Sequence, residues 1–298
     1  MGNFMINAVG ILIVIWIAFY IYLKLHPRAF DQQIEKKFER FRESFRKSDE
    51  ERLGRRMQIP REGAEAAEVN LYLPELKQKR NPVVFMLHGG QFVDGDADQI
   101  DSFCDRMKDL WDAVIISINY AKLDAHKIPY QQEEIRDVVL YFGIHAEEYD
   151  IDIHRSVLMG FSAGAYYCVG AASLLEEKGL KTSGIVMCSP FIDDTLIRFC
   201  QAGIHPEPVM IITAEKESMQ ERLDTYKEYL EKAGTDAEFK VYEGVTEGFL
   251  EHNNPEFENN SLYKNDPSVS EEQKEIARAC EIYLGQVFEK FFEKQENV

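Results

Sequence analysis

From about residue 66 onward, short apolar runs alternate with longer stretches in which apolar positions recur at intervals of three and four. The short runs read as strands: Glu68 to Leu73, Pro82 to Leu87, Ala113 to Asn119, Ser156 to Phe161, Ser183 to Cys188, Val209 to Thr213 and Glu238 to Tyr242. The longer stretches read as helices, among them Tyr130 to Ala146, Ala163 to Lys178, Met219 to Ala233 and Ser270 to Lys294. Strands that alternate with helices predict an α/β fold, a mostly parallel sheet with helices on both faces. The stretch Glu251 to Asp266, rich in Asn and Glu, reads as a surface loop before the last helix.

Upstream the pattern is different. Residues 1–23 carry no charged side chain, and Ala8 to Leu23 is almost entirely apolar, long enough for the ~20 residues that cross a ~30 Å hydrocarbon core. A cleavable signal peptide would need a positive start and a small-residue cleavage site, and neither is present, so residues 1–25 are expected to be an uncleaved transmembrane anchor. Lys24, Arg28, Lys36, Lys37, Arg40 and Arg42 all follow the apolar span and none precedes it, which places the main domain on the cytoplasmic side. Phe30, Ile34, Phe38, Phe41 and Phe45 then mark one face of a helix, with Glu43 and Lys47 spaced as an ion pair on the other. Residues 26–65 are thus expected to form an amphipathic helix and linker. Two places suit that helix, the membrane surface or a cap over the following domain, which is expected to span 66–298.

Composition narrows the function. A formal net charge of −18 argues against nucleic acid, since a phosphate-binding surface needs clustered Lys and Arg. Cys104, Cys168, Cys188, Cys200 and Cys280 are odd in number and lack metal-type spacing, so they read as buried thiols in a reducing compartment, with no metal or cofactor implied.

The chemistry centres on Gly160-Phe161-Ser162-Ala163-Gly164, set between an apolar strand and a helix rich in small residues. In that setting G-x-S-x-G is a nucleophile elbow: the outer glycines allow a strained turn and close packing, and the serine stands exposed at its tip. Ala163 would present a backbone N–H at a helix N-terminus, where a developing negative charge is stabilised. One strand-helix-strand unit earlier, the strand Pro82 to Leu87 runs into His88-Gly89-Gly90-Gln91-Phe92, a turn whose backbone N–H groups suit an oxyanion hole.

These motifs, with Asn119-Tyr120-Ala121-Lys122-Leu123, Pro129, Asp137 and the late strand Ile211 to Glu217, resemble the α/β-hydrolases, in particular the esterase/lipase group related to hormone-sensitive lipase. The resemblance runs from about residue 66 to the C-terminus. It implies an α/β-hydrolase fold and a serine carboxylesterase with Ser162 as nucleophile and an oxyanion hole at Gly89, Gly90, Gln91 and Ala163; Gln91 replaces the family's third glycine. The acid falls at Glu217, with Glu215 second and Asp193 and Asp194 behind. The family histidine would stand in Gly244-Val245-Thr246-Glu247-Gly248-Phe249, where this chain has Glu247. A carboxylate of ordinary pKa is a poor base for a serine, so the nearest remaining imidazole, His252, is expected either to fold toward Ser162 or to lie at the surface. Only 20 residues separate Cys188 from Val209, too few for a large lid, which favours short acyl or acetyl esters. The expected function is a membrane-tethered esterase acting on a small-molecule ester. The alternative is a pseudo-hydrolase, a binding or scaffold module that has lost its base.

Overall fold

The computed structural model describes residues 36–76, 79–201 and 208–296, with side chains except at 199–201 and 294–296. The predicted anchor at 1–25 lies outside these residues; among the described ones, no helix is long and apolar enough to cross a membrane. The chain divides into two units, 1–44 and 45–298. In the first, residues 36–43 are helical.

The second unit is built on one eight-stranded sheet in the order β1-β2-β4-β3-β5-β6-β7-β8. The strands are β1 (Arg55–Ile59), β2 (Ala67–Tyr72), β3 (Asn81–Leu87), β4 (Val114–Ile118), β5 (Ile151–Phe161), β6 (Gly184–Cys188), β7 (Val209–Lys216) and β8 (Ala237–Thr246). β2 runs antiparallel to both β1 and β4, and the ladder from β4 through β8 is parallel. The central strands read as unbroken apolar runs because both of their faces are covered. In β3, Val83, Phe85 and Leu87 point to one core while Val84 and Met86 point to the other.

The first core is closed by α2 (Tyr130–Ile144), α3 (Ala163–Glu177), α4 (Asp194–Gln201) and α5 (Gln220–Ala233); the second lies under α1 (Asp101–Leu110) and α7 (Glu271–Glu296). A short α6 (Pro255–Glu258) precedes α7.

Three sequence readings change. β1 lies inside the stretch read as helix and linker, and pairs with β2 from Arg55↔Leu71 to Ile59↔Ala67. Lys47 does not pair with Glu43: the helix ends at 43, and Lys47 Nζ instead meets Asp101 at 2.7 Å and Glu256 at 2.5 Å. The stretch Glu251 to Asp266 is no plain surface loop, since Glu251, Asn253, Asn254, Phe257 and Asn260 are buried. Two of its buried amides are satisfied internally: Asn253 Nδ2 donates to Glu281 Oε1 and Asn254 Nδ2 to the Glu251 carbonyl.

Buried ion pairs hold the segment before β1 in place. Asp98 and Asp101, both fully buried, sit at the 3₁₀ turn Ala97–Ile100 and the start of α1. Asp98 accepts from Arg52 Nε (2.9 Å), Arg56 Nη2 (2.7 Å), Asn70 Nδ2 (2.8 Å) and the Lys47 amide (2.8 Å). Asp101 accepts from Tyr72 Oη (2.7 Å) and from the Leu53 and Gly54 amides (3.0 and 3.1 Å).

Candidate active site

β5 delivers Ser162 at its end and α3 begins at the next residue. Ser162 has φ +48° and ψ −110°, outside the basins open to an L-residue, so the surrounding structure must hold it there. It does so by backbone bonds: the Ser162 N–H donates to Cys188 O (2.9 Å), and Ser162 O accepts from Tyr166 N–H and Phe191 N–H (3.3 Å each). The flanking glycines are a steric requirement. A Cβ on Gly160 would collide with the backbone of Gly164 and Ala165, and one on Gly164 with the carbonyls of Leu87 and His88. The elbow is therefore jammed against the end of β3, where the glycine turn begins.

In that turn His88 is fully buried and stacked on Tyr120, ring centroids 4.4 Å apart. Its Nε2 lies 2.9 Å from Lys122 Nζ and its Nδ1 2.6 Å from Gly89 O. An ammonium only donates, so Nε2 accepts and the proton sits on Nδ1. Burial and the neighbouring ammonium keep the imidazole neutral, well below its ordinary pKa. Gly90, Gln91 and Phe92 follow with φ of +134°, +50° and +71°, and Gly90 O accepts from the Val93 and Asp94 amides. The amides of Gly90 and Gln91 donate to no backbone carbonyl among the described residues. Ala163, as first residue of α3, likewise presents an N–H that the helix does not use. Gly89 is different. Its N–H donates to Glu251 Oε1 at 2.6 Å, so it is not available to an oxyanion and the expected set of four donors is reduced to three.

Glu217 follows β7 and its Oε1 accepts from Ser189 Oγ (2.7 Å) and the Ala214 amide (2.6 Å). Ser189 directly follows Cys188, whose carbonyl holds the Ser162 amide, so Glu217 is tied to the strand beside the elbow. Burial pushes its carboxyl up to about 7, with a further contribution from the neighbouring charge of Glu247. Two carboxylates thus stand together at the ends of β7 and β8; Glu247 Oε2 also accepts from the Ser218 amide at 3.2 Å. The other acidic candidates are engaged elsewhere. Glu215 is exposed and bonds the Gly244 amide, Asp193 caps α4 through the Thr195 and Leu196 amides, and Asp194 pairs with Arg222.

His252 is hydrogen-bonded away from the elbow. Its Nδ1 lies 2.6 Å from Ser268 Oγ, which donates to Asp266 Oδ1, and its ring packs on Phe257 (4.1 Å) and Tyr263 (4.9 Å). No hydrogen bond joins it to Ser162 among the described residues. Burial pushes its pKa down to about 4, so it is a weak base. The aromatic packing that captures it comes from the stretch read as a surface loop.

Sequence reasoning passed over Ser189, Gln99 and Glu251, and also the rings of Phe92, Tyr166 and Phe191 around the elbow. Phe92 meets Tyr166 at 5.4 Å and Phe191 at 5.1 Å, each edge to face. The chain signals none of these: a serine after a strand and a glutamate in a polar tract look like surface positions.

Residues 69–189, which carry β2 through β6 and the elbow, match the BD-FAE family model. An acetyl esterase of Salmonella schwarzengrund (strain CVM19633) is 28% identical over 116 residues, 39% of this chain and 35% of that protein. An alpha/beta hydrolase of Acanthamoeba polyphaga mimivirus is 30% identical over 105 residues, 35% of this chain and 30% of that protein. The chain thus spans about a third of the length of the curated relatives it matches. Among solved structures, the carboxylesterase EstE1 from a metagenomic library aligns with TM-score 0.64 at 18% identity, covering 89% of this chain and 97% of that one. An esterase from Pyrobaculum calidifontis aligns with TM-score 0.63 at 18% identity, covering 88% and 93%. At this identity the structures speak to the fold alone.

Proposed function

For a chain of the α/β-hydrolase superfamily with this strand order and elbow, we propose a serine hydrolase that cleaves short acyl esters of small molecules and uses carboxylates in place of an imidazole as its base. The observation that carries the reading is Ser162 at φ +48° on the elbow, a strained conformation that the fold maintains next to three unused amides. In this mechanism the Ser162 hydroxyl gives its proton to the Glu217–Glu247 pair as Oγ adds to the acyl carbon. The oxyanion is met by the N–H groups of Gly90, Gln91 and Ala163. The alcohol leaves with the proton, and water, activated by the same pair, releases the acid and restores the serine. A carboxyl pushed up to about 7 is a better proton acceptor than an ordinary one, because proton transfer is most efficient when the base's pKa lies near the working pH. The acetyl esterase relative supports a short acyl group, and the N-terminal apolar span supports attachment to a membrane.

A second reading, a binding module with impaired chemistry, is favoured by the capture of His252 by Ser268. Labelling with a fluorophosphonate separates the two. The hydrolase reading expects Ser162 to be labelled, His252→Ala to leave the labelling rate unchanged, and Glu247→Gln to slow it on the order of 10²-fold, within the range of general-base contributions. Absence of labelling in the wild-type protein, with Glu247→His creating it, would overturn the hydrolase reading in favour of the binding module.

A further inference from the structure

The amide direction that an oxyanion needs depends on two peptide planes in the turn after β3, and both are held by side chains. In the His88–Gly89 peptide, the carbonyl accepts from Tyr120 Oη at 2.7 Å and the N–H donates to Glu251 Oε1 at 2.6 Å. In the Gly89–Gly90 peptide, the carbonyl lies 2.6 Å from His88 Nδ1 and 3.4 Å from Gln99 Nε2. A peptide is planar and trans, so fixing the Gly89 carbonyl also fixes the opposed N–H of Gly90, one of the three unused donors. Gln99 Nε2 is itself held by Glu251 Oε1 at 2.6 Å, and Gln99 Oε1 accepts from the Asp96 amide at 3.1 Å. One carboxylate oxygen thus ties the start of the turn to its far end. A Cβ at Gly89 would lie 2.5 Å from Glu251 Oε2, so a side chain there would displace the carboxylate.

We propose that Glu251 is the positioning residue of this turn: its carboxylate aims the Gly90 amide through Gly89 and Gln99, and does so more firmly when ionised than when protonated. The inference rests on the serine-hydrolase reading for its consequence on rate, and on geometry alone for the hold on Gly89. The physical reason is that a bond to an ionised acceptor is roughly twice as strong as one to a neutral acceptor, and Glu251 accepts two at one atom.

Burial raises the Glu251 carboxyl to about 7, against the lowering effect of the Gly89 and Gln99 bonds, so the switch falls near neutrality. The ionisable groups facing it are His88, Tyr120, Tyr263 and Cys188. His88 is held neutral by burial, and burial drives Tyr120, Tyr263 and Cys188 upward, with Glu251 adding to each. His252, next in the chain, is held near 4. Glu217 titrates in the same range as Glu251, so a rate profile alone does not tell the two apart, whereas the Gly89 amide does.

His88-Gly89 is the only His-Gly step in the chain, so carbonyl-labelled histidine with nitrogen-labelled glycine isolates the Gly89 amide by NMR in the full chain in detergent. Its proton resonance is expected to titrate with a midpoint at about pH 7 in the wild type and to stay flat in Glu251→Gln between about pH 5 and about pH 9. With a nitrophenyl acetate ester, Glu251→Ala is expected to lower kcat on the order of 10- to 100-fold with KM within about twofold, as a misaimed donor does. Glu251→Gln is expected to lie between, with the Glu251 limb of its pH profile removed. A Gly89 amide that does not titrate, or titrates alike in Glu251→Gln, overturns the proposal, as does an unchanged kcat in Glu251→Ala. If the wild type turns over no ester, the hydrolase reading fails while the amide titration still decides whether Glu251 holds the turn.

Discussion

Replacing Asp98 by alanine should be among the most damaging single changes in the protein, although the residue lies far from β1 in sequence. Asp98 is fully buried and is the shared acceptor for Arg52, Arg56, Asn70 and the Lys47 amide. The Arg52 side chain is only 2% exposed, so removing Asp98 leaves a guanidinium inside the protein with Asp49, itself largely in solvent, as its remaining ion-pair partner. Breaking a buried pair from one side costs about 3–5 kcal/mol, and an amide left without its acceptor costs about 1–3 kcal/mol more where water does not reach it. Because the segment before β1 can loosen and admit water, the total is expected at about 3–5 kcal/mol, a large part of the ~5–15 kcal/mol that holds a domain folded. Urea unfolding followed by tryptophan fluorescence measures it, since Trp111 is packed in the core beside Phe103 and Phe288. Arg52→Met removes the stranded charge, so the double variant should lose less than the sum of the singles, with a coupling of about 2 kcal/mol or more. A loss below about 1 kcal/mol for Asp98→Ala, or additivity within about 0.5 kcal/mol, would refute the reasoning and leave β1 held by strand pairing alone.

Two other outcomes can be checked directly. The Glu251 carboxyl is raised to about 7 from an ordinary 4.5, so between those values the folded state holds a proton that the unfolded state has released, and stability falls as pH rises through that window. Glu251→Gln lacks this fall; its stability relative to wild type should therefore grow by about 3 kcal/mol from pH 4 to pH 8, and a difference flat with pH in denaturant titrations would refute it. Deleting residues 1–25 should release the protein from membranes while leaving the 45–298 unit folded. A truncated chain that still sediments with membranes at high salt would assign the attachment to a later segment.

The strands β3 to β7 were legible in the sequence because a strand covered on both faces is largely apolar, and few other environments demand this of a short run. The elbow was legible for a related reason: two glycines around a serine record collisions with the backbone that any side chain would cause. β1 was not legible. Its residues Arg55-Arg56-Met57-Gln58-Ile59 bury fully only the last, and Arg56, like Arg52 just before the strand, is held by Asp98 more than 40 residues away.

The same limit applies at the site. Sequence order placed Ser162, Glu217 and the glycine turn at neighbouring strand ends, because in a parallel sheet the loops after successive strands emerge on one edge. It did not decide where His252 and Glu251 point. These adjacent residues take different directions, His252 into the aromatic rings of Phe257 and Tyr263 and Glu251 into the turn at Gly89. Hydropathy reports whether a residue type prefers water; a buried carboxylate or imidazole depends on partners supplied from elsewhere in the chain. Only the folded chain brings those partners together.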